Sequence, residues 1–248
     1  MRSNYQRKNH LFDPRSKLPF RISRSKIDLF LECPRCFYLD RRLGISRPGM
    51  PGFPLNSTVD FLLKKEFDLL RRDKKPHALM NRYNIKAVPY NHPDLFIWRD
   101  DFNKFEGKTY YHKETNLIIS GIIDDIWQDE KGRLNIVDYK STSTSKIISL
   151  DDEYKQSYKK QVEVYQWIFR KSGFSVSDIA YFVFANAGKN RPRFDGRLEF
   201  ELLIITYKGD DSWVEPIIFK IKECLTGSLP AINEKCDYCR YISQVAKK

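Results

Sequence analysis

The stretch from Leu117 to Lys140, Leu-Ile-Ile-Ser-Gly-Ile-Ile-Asp-Asp-Ile-Trp-Gln-Asp-Glu-Lys-Gly-Arg-Leu-Asn-Ile-Val-Asp-Tyr-Lys, constrains this chain more than any other. It reads as a β-hairpin. Asp124 falls in the first apolar run, Asp129-Glu130-Lys131-Gly132 supplies a polar turn, and Leu134 to Lys140 returns as an apolar strand. Charged side chains are seldom enclosed unless they are paired or bound to metal, because desolvation costs several kcal/mol. Asp124, Asp138 and Lys140 in such a hairpin therefore suggest a divalent cation. Two carboxylates hold hard cations through oxygen, and such cations activate water and neutralise a scissile phosphate. Side chains alternate along a strand, so Lys140 shares a face with Asp138 and is placed to orient a nucleophile or stabilise developing charge. The backbone carbonyl of Tyr139 lies between them as a further oxygen ligand. As a bare pattern, Asp-x-Lys is more often a surface ion pair. The apolar strand around it and the helix that follows set this one apart.

The chain has 248 residues, enough for one main domain with a small satellite. A hydrophobic fraction of 41% with 14% aromatic residues excludes a wholly disordered chain. The net charge of +12 is compatible with an ordinary solvated surface, but it points more sharply to a polyanionic partner such as nucleic acid. Arg21, Arg24, Arg35, Arg41, Arg42, Lys189, Arg191 and Arg193, interleaved with aromatics, are candidates to track phosphates. No run of eighteen apolar residues exists to span a bilayer. The basic stretch at the N-terminus lacks the apolar segment of a secretory signal, so residues 1–20 are expected to form a disordered basic arm and the protein to be cytoplasmic.

Four of the five cysteines form two Cys-x-x-Cys pairs, Cys33/Cys36 and Cys236/Cys239. Without export, that pattern argues for metal ligation over disulfides, and the spacing alone favours Zn²⁺ in a four-thiolate tetrahedron. Cys224, in an apolar helix, reads as core.

Helices are expected from about Ser25, with Pro34 bending or restarting the helix between the first cysteines; from Ser57, as cap, to about Arg72; from Tyr154 to Lys171; and from Trp213 to Leu225. Asp60 and Glu66 lie on the second, where on the residues alone Asp60 also reads as compensation of the helix dipole and Glu66 reads as surface solvation. Residues 73–113 show only a weak pattern of short strands and loops. Ile179 to Ala185 is a continuous apolar strand of the kind covered on both faces, and Leu198 to Tyr207 is another. The fold class expected is α/β, a central mixed sheet flanked by helices, with a cysteine-clasped helical satellite made from about 25–45 and 226–242.

In the Tyr154–Lys171 helix, Gln161 and Tyr165 stand at i and i+4 on one face. On the residues alone this is equally a core tyrosine beside a solvated glutamine. Taken in order, however, Gly121-Ile-Ile-Asp124, Asp138-Tyr-Lys140 and Gln161-Val-Glu-Val-Tyr165 resemble the PD-(D/E)XK nuclease superfamily in its RecB-like branch, with the pattern G-x-x-D, D-x-K, Q-x-x-x-Y. The serine-led helix running into Cys33-Pro34 is similar to the opening of the iron–sulfur members, the CRISPR-associated and recombination exonucleases. The resemblance spans about Ser23 to Tyr241. It implies Asp124 and Asp138 as ligands of Mg²⁺ or Mn²⁺, Lys140 as catalytic, and Gln161 and Tyr165 as contacting the substrate backbone or ordering the site. It also implies an iron–sulfur cluster, 4Fe–4S, on Cys33, Cys36, Cys236 and Cys239 in place of zinc.

This sequence departs from the pattern twice. Where many relatives carry a metal-binding histidine before the hairpin, it offers Asp60, and a carboxylate suits Mg²⁺ at least as well. Where relatives carry one N-terminal and three C-terminal cysteines, it has two and two. The activity implied is metal-dependent hydrolysis of DNA, exonucleolytic on single strands or ends, in CRISPR adaptation or repair and with possible protein partners there. The competing class is a catalytically silent nuclease fold that binds DNA for a larger complex.

Overall fold

The computed structural model describes residues 11–49, 51–100 and 107–246. They fall into two compact units. The first takes residues up to 51, 110–120 and from 212 onward; the second takes 52–109 and 121–211.

The second unit is built on a five-stranded mixed sheet of order β2-β5-β6-β7-β8. Its strands are β2 (Ala87–Pro89), β5 (Asp125–Asp129), β6 (Leu134–Thr142), β7 (Ile179–Ala187) and β8 (Phe200–Lys208). β6 and β7 run parallel, and the pairs on either side of them are antiparallel. The parallel pair needs a crossover, which α6 (Gln156–Lys171) provides after a short 3₁₀ turn at Glu153–Lys155. Helix α3 (Pro54–Asp73) packs Leu63 and Phe67 into a core with Trp127, Val137, Tyr139, Val183 and Ala185. Because strand side chains alternate, the even-numbered residues of β6, Asp138 and Lys140 among them, point to the opposite face, which Tyr158 of α6 covers at Lys140.

The first unit holds β1 (Phe20–Ser23), α1 (Arg24–Glu32), α2 (Pro34–Arg42), α7 (Val214–Thr226) and α8 (Asp237–Val245). A three-stranded sheet of order β1-β4-β3 joins β1 to β4 (Leu117–Gly121) and β3 (Lys108–His112). The chain is thus a mixed α/β protein with helix-flanked sheets.

Several local expectations are revised. The hairpin is shorter than its apolar run: β4 belongs to the three-stranded sheet, and only β5 pairs with β6. Asp124 consequently lies in the break between two strands rather than within one. Helix α3 starts at Pro54, because proline is pre-organised for a first turn, and Ser57 sits inside it with its hydroxyl donating to the Phe53 carbonyl. Helix α1 begins one residue before Ser25, which bonds the Ser23 hydroxyl and does not cap. Two one-turn helices, α4 (Ala78–Arg82) and α5 (Leu95–Arg99), occupy the stretch read as strands and loops. Of the arm assigned to residues 1–20, the first ten lie outside the described residues. Phe12 is buried against Phe20 and receives a hydrogen bond from Arg42.

Candidate active site and cysteine centre

The acidic site is assembled from four elements of the second unit. Tyr165 of α6 donates its hydroxyl to the Ile122 carbonyl at 2.6 Å, and Gln161, 8% exposed, donates to Tyr165 at 3.3 Å. The tyrosine ring lies so close to Gly121 that a Cβ there would stand 2.3 Å from Cε1. Gly121 is thus the residue that lets Tyr165 reach the strand break. The Ile123 amide is held at the same place by the Trp98 carbonyl, 3.2 Å away. Pinned in this way, the break delivers Asp124 to β6, where its Oδ2 accepts from the Tyr139 amide at 2.9 Å. In an extended strand the N–H and C=O of a residue point to the same side, so the Tyr139 carbonyl faces the Asp124 side as well. Glycine, Asp124, Gln161 and Tyr165 form one positioning device.

Asp138 is completely enclosed, and neither of its oxygens has a hydrogen-bond partner of normal geometry. Its neighbours are the Lys140 ammonium, with which it forms an ion pair, and the Asp124 carboxyl. Burial pushes its pKa up to about 7; Lys140 works against that shift and Asp124 adds to it. Asp60, on α3, is also raised, by burial and then by Asp124, while Lys64 and Lys140 oppose the shift. Asp60 pairs with Lys64 at 2.9 Å. Asp60, Asp124, Asp138 and Lys140 thus share one electrostatic neighbourhood with more carboxylate than it can comfortably ionise. A divalent cation is the chemical complement to that set, and the buried carboxylate of Asp138, offset by Lys140 alone, fits one. The three carboxylates do not meet as a closed cage: among the described residues, only the four cysteines bring their ligand atoms within 4.8 Å of one another.

Asp125, the neighbour of Asp124, turns to the opposite face and was not singled out from the sequence. It is fully buried, accepts from the Tyr139 hydroxyl at 2.7 Å, and pairs with Arg71 of α3. Arg71 and Arg99 both bind Asp68, Arg99 through two bonds of 2.8 and 2.7 Å. This network fixes β6 against α3 directly behind the catalytic candidates. The period-two alternation could have flagged it, since two consecutive acids before a strand cannot share one face.

In the first unit, Cys33 caps α2 and its sulfur accepts from the Cys36 amide at 3.4 Å. Sγ–Sγ separations are 3.6 Å for Cys33–Cys239, 3.7 Å for Cys36–Cys236 and 3.9 Å for Cys36–Cys239, and all four residues are buried. Burial pushes Cys36 up to about 12. For Cys236 burial acts in the same direction, but the Cys239 amide, the Cys36 and Cys33 side chains and the Tyr238 amide together outweigh it and bring its thiol down to about 7. Arg47 donates to the Cys236 sulfur at 3.2 Å while paired to Glu32 at 2.6 Å and stacked over Tyr238 at 4.5 Å. Cys224 stays apart, its sulfur 3.9 Å from the Pro34 carbonyl and its thiol raised to about 11 by burial.

Most arginines read as phosphate trackers have a partner within the protein. Arg24 pairs with Asp28, Arg35 donates to the Pro230 carbonyl, Arg41 lies 3.6 Å from Asp40, Arg191 binds Glu199, and Arg193 binds Asp195. The Arg191 and Arg193 pairs are open to solvent, of a kind that holds weakly and leaves the guanidinium accessible to a ligand.

The family model of the PD-(D/E)XK nuclease superfamily matches residues 63–244, which include Gly121, Asp124, Asp138, Lys140, Gln161 and Tyr165. The chain belongs to the PD-(D/E)XK nuclease superfamily. Members are generally hydrolytic nucleases that use divalent metals, and the nuclease fold implies binding of nucleic acid. The matched span begins after Asp60 and both N-terminal cysteines. The crystal structure of SSO0001 aligns over 96% of this chain and 89% of its own at 15% identity and a TM-score of 0.41, too low a similarity to carry a functional argument. Comparison with curated proteins gave no match. No helix among the described residues is long and apolar enough to cross a membrane.

Proposed function

We propose that this protein is a divalent-metal-dependent deoxyribonuclease of the RecB-like branch, acting on single strands or DNA ends in CRISPR adaptation or in recombination and repair. The observation that carries the reading is Asp138: a fully enclosed carboxylate whose neighbours are the Lys140 ammonium and a second carboxylate, Asp124. Asp124, Asp138, the Tyr139 carbonyl and Asp60 would hold Mg²⁺ or Mn²⁺. When bound, the cation supplies an activated water and neutralises charge on the scissile phosphate. Lys140 is stored on Asp138 and placed to orient the nucleophile or steady the phosphate oxygens. Gln161 and Tyr165 act through the Ile122 carbonyl to fix Asp124, so both are positioning residues.

For the cysteine centre the reading is a single tetrahedral ion, Zn²⁺, in preference to a 4Fe–4S cluster. A zinc–sulfur bond of about 2.3 Å sets tetrahedral sulfurs about 3.8 Å apart; three of the six separations here are 3.6 to 3.9 Å, and all lie within 4.8 Å. A four-iron cube between the same sulfurs would need them several ångströms further apart.

The test is incubation of labelled DNA with Mn²⁺, with and without chelator, using the parent chain and Lys140→Ala and Asp138→Ala. Fragments from the parent alone support the reading. Unchanged cleavage in either variant removes this active site, and no cleavage by any form leaves the silent DNA-binding fold as the better account. Metal analysis decides the second centre: one zinc per colourless chain supports the single ion, and absorbance near 400 nm with bound iron overturns it.

A further inference from the structure

Tyr154 and Tyr158, at the entry to α6, are used by no step described so far. Tyr158 lies under the Lys140 ammonium, 4.8 Å from nitrogen to ring centroid. Tyr154 meets Tyr158 edge-on, with centroids 6.4 Å apart and planes at 89°, and is 65% exposed. A large exposed aromatic ring one contact away from a catalytic lysine needs an explanation. An exposed tyrosine is commonly a mobile surface group, but this one stands on a fixed support. The Lys155 ammonium lies 5.3 Å from its centroid, and Lys155 is itself only 6% exposed. That ammonium is pinned by Asp152 at 2.7 Å and by the Ser149 carbonyl at 2.8 Å. With the Lys155 ammonium over it, the ring is held in place by a cation–π contact, while most of the side chain remains open to solvent.

We propose that Tyr154 is a base-stacking platform for single-stranded DNA, taking the base of a nucleotide next to the phosphate presented to Lys140. The proposal rests on the nuclease reading and deepens it by naming a residue that would select single strands or frayed ends. Every base offers a π-face, so such a platform tolerates sequence. A base inside a duplex has both faces covered by its neighbours, whereas one in a single strand or frayed end does not. Tyr158, carrying Lys140 on its ring and Tyr154 at its edge, links the platform to the reacting phosphate. The selectivity for single strands or ends would then come from ring geometry, not from charge.

The experiment uses the full chain carrying Asp138→Asn, so that DNA is bound and not cut, and reads the fluorescence of 2-aminopurine placed along a single-stranded oligonucleotide. One position should be quenched on binding. Tyr154→Ala should abolish that quenching and weaken single-strand binding about tenfold, within the range for loss of one stacked base. Binding to blunt duplex should not change, and Tyr154→Phe should retain quenching and affinity. An abasic site at the quenched position should make parent and Tyr154→Ala bind alike. Equal affinity of parent and Tyr154→Ala for the intact single strand overturns the platform, as does equal weakening on single strand and duplex. If Tyr154-dependent quenching persists but the unmutated chain cuts no DNA, the platform stands and the nuclease reading fails. If the chain cuts DNA and Tyr154→Ala changes nothing, the platform fails alone.

Discussion

The two clusters of metal-ligating side chains differ in how far assembly has gone. The four cysteines, two near each end of the chain, already bring every sulfur within 4.8 Å of the others. The three acids share a field without closing a cage, and two of them are paired with lysines, Asp60 with Lys64 and Asp138 with Lys140. The reason is charge. Neutral thiols pack together like small apolar groups, whereas carboxylates repel and must be separated or protonated until a cation arrives. The cysteine centre is therefore shaped as a structural site, with all positions supplied by protein. On the proposed reading, the acidic site would leave positions for water and phosphate, as catalytic metal sites do.

The most severe way to break this contrast lies in the acidic site. Lys140→Ala should lower the cleavage rate by on the order of 10²–10³, the range for removing one group aimed at developing charge, while DNA affinity stays within a few fold. A rate within tenfold of the parent would reduce Lys140 to a partner that merely offsets Asp138.

Next in size is Cys239→Ser. Because a preformed structural metal site contributes directly to folding, bound zinc should fall from one per chain to a small fraction and the melting temperature should drop by several degrees. Full retention of metal would mean that the four sulfurs do not act together.

Gly121→Ala tests the positioning device. Its methyl would meet the Tyr165 ring at 2.3 Å, so either the ring or the strand break must move. Roughly a tenfold or larger loss of activity is expected, by misplacing Asp124. Tyr165→Phe, which keeps the ring and loses the bond to the Ile122 carbonyl, should cost less. If Tyr165→Phe is the more damaging of the two, Tyr165 contacts substrate directly.

The smallest effect concerns stability and pH. Asp138 has its pKa raised by burial to about 7 from an ordinary 3.8. Its contribution to stability is therefore fully present below about 3.8 and is lost as pH rises through about 7. Asp138→Asn should leave the metal-free protein no less stable at pH 4 and progressively more stable than the parent toward pH 8, measured by thermal unfolding. Added Mn²⁺ should narrow that gap by stabilising the parent alone. A constant difference across this range would show that Asp138 does not titrate there.

Much of the fold was legible because its long elements carry strong periodicity. The extent of α6 and the apolar run of β7 required no tertiary information, whereas α3 buries Lys64 and Arg71 and leaves Leu62 56% exposed. The short α4 and α5 were missed, since a single turn has too few residues for a pattern and is held by what it packs on. The hairpin was read as one continuous strand pair because Leu117 to Ile126 is apolar almost throughout, and composition cannot show where one strand leaves one sheet and enters another. That break is what places Asp124. In the same way, the count of arginines was visible but their partners were not: Asp28, Asp40, Glu199 and Asp195 had already claimed four of them.

The sequence by itself determined which residue types are present and at what spacing: Gly121 to Asp124, Asp138 to Lys140, Gln161 to Tyr165, and the two Cys-x-x-Cys pairs. Spacing along a strand or helix dictates a shared face, so these local groupings followed from chain geometry alone. Only the tertiary structure decided which groups face one another across elements. It turned Asp124 toward Asp138 and Asp125 toward Arg71, seated Tyr165 on Gly121, and set Tyr154 on a pinned lysine beside Tyr158. Burial and charge depend on neighbours distant in sequence, so the raised pKa of Asp138, the property that most marks this site for a cation, exists only once the chain has folded.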